Sequence, residues 1–118
     1  MTEQKARRVF IVSRHPASVD WIKRQGYEQA EVIDHLKPGV LQQGDLVVGT
    51  LPLHIARDIN EQGVRLIHFS LDVPHNMRGR EISAEMLEEM NPRLEELHVI
   101  SGRKPGTESL AEPGDRDE

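Results

Sequence analysis

The stretch Val9-Phe10-Ile11-Val12-Ser13-Arg14-His15-Pro16 passes from an unbroken apolar run to a polar, cationic corner closed by proline. β-Branched and aromatic side chains without polar alternation read as a strand covered on both faces, the habit of parallel sheets. Pro16 has no N–H to lose in a first helical turn, and Ala17, Val19, Trp21 and Ile22 continue that helix to a stop at Gly26. Glu31-Val32-Ile33 is a weaker strand candidate, followed by a Lys37-Pro38-Gly39 turn. Gly44-Asp45 then introduces a second strong run, Leu46-Val47-Val48-Gly49. Pro52 opens a second helix, because Leu51, Ile55, Ala56 and Ile59 fall at spacings of three and four and Gly63 stands where a left-handed cap belongs. Val64 to Leu71 reads as another strand. Ser83 is an N-cap flanked by Ile82 and Leu87 in staple positions, so an acidic helix follows until Pro92, and Leu97 to Ile100 is expected as a last strand. The alternation predicts an α/β fold of parallel strands with crossover helices.

The chain has 118 residues, enough for one core. The expected organisation is an N-terminal extension over 1–8, the domain over 9–101 and a disordered acidic tail over 102–118, where Gly, Pro, Ser and acid predominate. There is no cysteine, so no disulfide, thiolate zinc site or cysteine nucleophile is available, which suits a reducing compartment. The polar start leads straight into a strand-length apolar run, unlike a signal peptide or membrane span, so a cytoplasmic protein is expected. The formal net charge of -5 is unevenly placed. Residues 1–80 carry 11 Lys/Arg, 9 Asp/Glu and five of the six histidines, whereas residues 81–118 carry 4 Lys/Arg against 11 Asp/Glu. A few arginines on a near-neutral body suit a compact ligand with a handful of phosphates better than duplex nucleic acid.

In open parallel sheets ligands bind beyond the carboxyl ends of the strands. That rule selects Ser13-Arg14-His15-Pro16, then Gly49-Thr50-Leu51-Pro52, then Ser70, Asp72, His75, Arg78 and Arg80. Hydroxyls, planar cationic donors, a titratable imidazole and a glycine allowing close backbone approach make up an inventory for binding phosphate. Each residue also has a plainer reading: Ser13 as a turn cap, His15 as a solvated loop histidine, Arg78 and Arg80 as partners of the acidic helix. His68, midway along a strand, reads as a hydrogen-bonded structural residue, and Trp21 as core packing. No two histidines stand at i, i+4 on a helix, and no Walker or dinucleotide fingerprint occurs, so neither metal nor cofactor is expected.

Three ordered motifs, Val12-Ser13-Arg14-His15-Pro16 with Trp21, Gly49-Thr50-Leu51-Pro52, and Ser70-Leu71-Asp72 before Arg78-Gly79-Arg80-Glu81, resemble the Csx-sixteen family of CRISPR-associated proteins over residues 9 to 100. That family accompanies type III CRISPR systems. The resemblance implies a Rossmann-like (CARF-like), mostly parallel sheet flanked by helices, and a homodimer that binds cyclic tetra-adenylate. Several members are regarded as ring nucleases.

Chemistry then assigns roles. Metal-free cleavage holds a ribose 2′-hydroxyl in line with its phosphorus, giving a 2′,3′-cyclic phosphate and a free 5′-hydroxyl. Ser13, Arg14 and His15 are the catalytic candidates, with Arg14 on the phosphoryl charge and His15 or Ser13 at the leaving oxygen. Gly49, Thr50, Leu51, Ser70, Arg78 and Arg80 are the ligand-binding candidates. The runner-up is a binding protein that sequesters the cyclic nucleotide uncut. A small phosphate-ester hydrolase outside CRISPR biology, working as a monomer, and a purely structural role are the further alternatives.

Overall fold

The apolar runs become strands: β1 is Val9–Val12, β2 Glu31–Ile33, β3 Leu46–Gly49 and β4 Arg65–Ser70. The computed structural model describes residues 8–37 and 39–106. Pro38 of the expected turn and most of the expected acidic tail therefore lie outside the described residues, as does all of the N-terminal extension but Arg8. The periodic segments form helices α1 (Pro16–Ile22), α2 (Leu53–Glu61) and α3 (Ala84–Glu88). α1 runs on into a wider turn over Lys23–Tyr27, and Gly26 at φ 107° ends it. Pro52 caps α2 from one residue outside, and Gly63, at φ 86°, follows its end. At α3 the Ser83 hydroxyl accepts from the Met86 N–H, with Leu87 fully buried and Ile82 packed against the same core.

The strands form one five-stranded sheet in the order β2-β1-β3-β4-β5, and β1 to β4 run parallel. β1–α1–β2 leads outward on one side of β1, and β3–α2–β4 leads outward on the other. Right-handed crossovers in opposite directions place their helices on opposite faces. Ile11, Leu46, Val48, Ile67 and Phe69 pack with Ile22 of α1 and Leu87 of α3 on one face, and Val47, Leu66 and Val64 pack with Ala56 and Ile59 of α2 on the other. No described helix is long and apolar enough to cross a membrane.

The last strand departs from expectation. β5 is Arg93–Leu97, not Leu97 to Ile100, and it pairs antiparallel with β4 in the register Phe69↔Leu94 and Leu66↔Leu97. Beyond Leu97 the chain leaves the sheet: the Val99 N–H donates at 2.6 Å to Asn60 Oδ1 on α2, and Ile100 is exposed. Charges on an edge strand hide its apolar pattern while shielding the edge from other chains. Here Arg65 clasps Glu96 through two hydrogen bonds of 2.9 and 3.0 Å across the β4–β5 pair.

At the amino ends of the strands, the fully buried Asp45 carboxylate accepts from Arg8 at 2.6 and 3.2 Å and from the Gln42 N–H at 2.8 Å. Arg8 also donates to the Val40 carbonyl and lies over the Phe10 ring, so this cluster ties the start of β1 to the approach to β3. Asp45→Ala, which removes hydrogen bonds between charged groups, is expected to cost about 2–4 kcal/mol, read as a lower denaturation midpoint at unchanged slope. The Arg65 guanidinium holds the Glu96 carboxyl below its ordinary value. The stability this pair adds is whole above the ordinary carboxylate range and is lost as pH falls through the lowered value. Between about pH 6 and pH 3 the wild type should therefore lose more stability than Glu96→Gln does, measured as midpoint against pH.

Candidate functional site

The strand order changes direction between β1 and β3, and their carboxyl ends diverge into helices on opposite faces. A crevice opens at such a switch point. It is occupied here by a cleft of about 320 Å³, near the lower end for small-molecule sites. Val12, Ile22, Phe69, Leu71 and Ile82 give it apolar walls, and Ser13, His15, Ser18, Gly49, Thr50 and Arg80 supply the backbone and polar groups. All three segments expected at the strand ends thus reach one cavity.

Local hydrogen bonds set these groups. Ser13 Oγ accepts from the His15 N–H at 3.0 Å, which is the turn-capping role foreseen for it, and the Ser13 N–H donates to the Ile33 carbonyl of β2. His15 caps α1 with its ring: Nδ1 accepts from the Ser18 N–H at 3.3 Å and lies 2.6 Å from Ser18 Oγ. His15 Nε2 is shielded from solvent and has no hydrogen-bond partner among the described residues. Thr50 Oγ1 donates to the Phe69 carbonyl at 2.5 Å, fastening the β3–α2 corner to β4.

The remaining candidates sit elsewhere. Arg14 and Arg78 are exposed near the same strand ends without lining the cleft. Leu51 packs against the α2-side core, and Ser70 pairs with Arg93 at the end of β4, outside the cleft lining. Asp72 is engaged by Arg93 at 3.0 Å and by Asn91 at 3.2 Å, and these hydrogen bonds hold its carboxyl below the usual range. His68 lies on β4 with no side-chain hydrogen bond among the described residues, so the hydrogen-bonded structural role expected of it is not seen. Trp21 packs on Phe69, ring centroids 5.6 Å apart, as expected of a core residue. Ser18 was not among the candidates. Its signal was its place three residues after His15, where a helix N-cap side chain meets the backbone.

Ion pairing divides the arginines into two groups. Arg8, Arg24, Arg57, Arg65 and Arg93 each have a carboxylate within 4 Å, whereas Arg14, Arg78 and Arg80 have none among the described residues. The cleft lining includes no Asp or Glu, and no cluster of metal-binding side chains occurs among the described residues. Such an arrangement favours an anion and offers it donors from several directions.

Gly49 holds the floor together. At φ 155°, a Cβ built on it would lie 2.6 Å from the Val12 carbonyl oxygen, a contact between two backbones that no side-chain rotation relieves. Gly49→Ala is expected to cost about 1–3 kcal/mol. It should also disturb amide resonances of Ser13 and Thr50 in NMR spectra ahead of those at the opposite end of the sheet.

No curated protein and no solved structure matches this chain. The family model described as "Putative CRISPR-associated protein (Cas_VVA1548)" matches residues 10–100, a span that runs from β1 through β5 and includes every lining residue of the cleft. The chain belongs to that CRISPR-associated family.

Proposed function

We propose that the protein is a ring nuclease: it binds cyclic tetra-adenylate at the switch-point cleft and opens it without a metal, ending type III CRISPR signalling. The observation that carries the reading is the convergence, at one sheet edge, of an imidazole nitrogen without a hydrogen-bond partner and arginines without a carboxylate partner among the described residues. In this reading the fold is a Rossmann-like, CARF-like domain whose strand-order reversal creates the ligand site.

Size supports a dimer. A cleft of about 320 Å³ suits one nucleotide unit of the ring, and a ring of four phosphodiesters has the two-fold symmetry to engage two copies of the same cleft. In the reaction the 2′-oxygen bonds to phosphorus as the P–O5′ bond breaks. The 2′ proton passes to solvent and O5′ takes one up, leaving a 2′,3′-cyclic phosphate and a 5′-hydroxyl. Arg80 binds the phosphoryl oxygens, with Arg14 and Arg78 drawing the anion toward the edge. His15 Nε2 donates to an oxygen whose charge grows in the transition state. A ligand oxygen reaches that nitrogen after a small displacement of the lining side chains, since Nε2 is covered in the free protein.

The test is incubation of purified protein with labelled cyclic tetra-adenylate in EDTA, following both retention on a gel and product. Wild type should yield linear species ending in 2′,3′-cyclic phosphate. Arg80→Ala should weaken binding about 10- to 100-fold. His15→Ala should slow single-turnover cleavage about 10²- to 10³-fold at nearly unchanged affinity. Tight binding by wild type without product would replace the nuclease with a sequestering protein, and no binding would overturn both.

A further inference from the structure

The cleavage reading uses one ring nitrogen of His15, and the other is already occupied. Nδ1 accepts the Ser18 backbone N–H at 3.3 Å as the N-cap of α1, with the Ser18 hydroxyl 2.6 Å away. A ring nitrogen that accepts an N–H carries no hydrogen of its own, so this bond, long at 3.3 Å, biases the neutral imidazole toward a hydrogen on Nε2 without fixing it there. With the hydrogen on Nε2, the Ser18 hydroxyl is the second and shorter donor to Nδ1, at 2.6 Å from a residue only 4 % exposed, where water competes little. The opposite arrangement, Nδ1–H donating to Ser18 Oγ, would point a hydrogen at the Ser18 N–H and undo the cap. Neighbouring groups do not reverse this choice: Ser13 Oγ is directed at the His15 backbone, and the cleft lining includes no carboxylate to draw the hydrogen to Nδ1.

We propose that Ser18 is a positioning residue that locks His15 in the tautomer bearing its hydrogen on Nε2, so that the imidazole meets the phosphoryl group as a hydrogen-bond donor and not as the base that deprotonates the 2′-hydroxyl. The choice of substrate in this statement rests on the ring-nuclease reading; the tautomer does not. Ser18 thereby does for the ring what an outer carboxylate or carbonyl does for a metal-bound or catalytic histidine elsewhere, fixing both orientation and hydrogen placement. The shielded Nε2–H without a partner is the counterpart of that lock: an unmet buried donor is costly in the free protein and is satisfied when a ligand oxygen arrives.

The tautomer is read directly by long-range proton–nitrogen correlation spectra of the full chain at neutral pH. Wild type should show the Nε2–H pattern for His15. Ser18→Ala, which keeps the backbone N–H but loses the hydroxyl, should show averaging of both tautomers, and Ser18→Thr should restore the wild-type pattern. In single-turnover cleavage of cyclic tetra-adenylate, Ser18→Ala should be slowed about 10- to 100-fold with unchanged affinity, and Ser18→Thr should recover. An Nδ1–H pattern in wild type, or a Ser18→Ala protein with wild-type spectrum and rate, would overturn the proposal. Should Ser18→Ala fail to fold, the spectra of wild type and Ser18→Thr still decide it. Should wild type bind the ring without cutting it, the nuclease reading falls while the spectra continue to test the tautomer.

Discussion

The close approach of β1 and β3 at their carboxyl ends is the constraint on which the rest depends. These are interior strands, paired from Val9↔Leu46 to Val12↔Gly49, and at the last pair there is no room for a side chain on Gly49. Immediately beyond it the two chains part, one into α1 on one face and the other into α2 on the opposite face. A cavity at that fork follows from geometry, since backbones held together to the last residue and then split must leave space between the diverging turns. The capping bond from Ser13 Oγ to the His15 N–H and the bond from Thr50 Oγ1 to the Phe69 carbonyl then fix the two walls. A site assembled this way is preorganised, because its polar groups are aimed by strand ends and caps and not by free loops.

The opposite end of the sheet is built on another principle. There a buried carboxylate, Asp45, gathers Arg8 and the Gln42 N–H and secures the strand starts. Charges at that end and along β5 neutralise one another within the chain, through Arg8 with Asp45 and Arg65 with Glu96. At the cleft end, Arg14, Arg78 and Arg80 have no carboxylate partner among the described residues, so the attraction they exert is open to an anion. An acidic protein can in this way present a locally cationic edge, which reconciles a net charge of -5 with the anionic ligand proposed.

Where the apolar pattern was continuous, the sequence was sufficient to locate the element. Val9-Phe10-Ile11-Val12 and Leu46-Val47-Val48-Gly49 are strands at those boundaries, and Ser83, Ile82 and Leu87 begin α3 as their spacing implied. β5 was displaced because Arg93, Glu95 and Glu96 mask a strand whose apolar residues are only Leu94 and Leu97, and because the Val99 N–H is claimed by a side chain on α2. The candidate site was legible to the level of segments. Which residue of each segment turns inward was not, since that depends on how the chain leaves the strand: Ser13 and His15 line the cleft while Arg14 between them does not, and Arg80 does while Arg78 does not. Ser18 went unseen because its role exists only once His15 becomes a helix cap.

The same local physics bears on how far the cleft can change chemistry. His15 is held from below by α1 through Ser18 and from behind by the Ser13 turn, so its ring cannot be redirected without loss of a helix cap. Arg80, by contrast, is an exposed side chain following the Gly79 turn, free to adapt to the position of a phosphate. In the reaction proposed above, a rigid donor beside an adaptable cation would divide the work: the cation would accommodate ligand geometry, and the fixed donor would discriminate between the ground state and a transition state whose charge lies at one oxygen. That division, and not the number of positive charges at the edge, is what separates a site able to cut its ligand from one that only holds it.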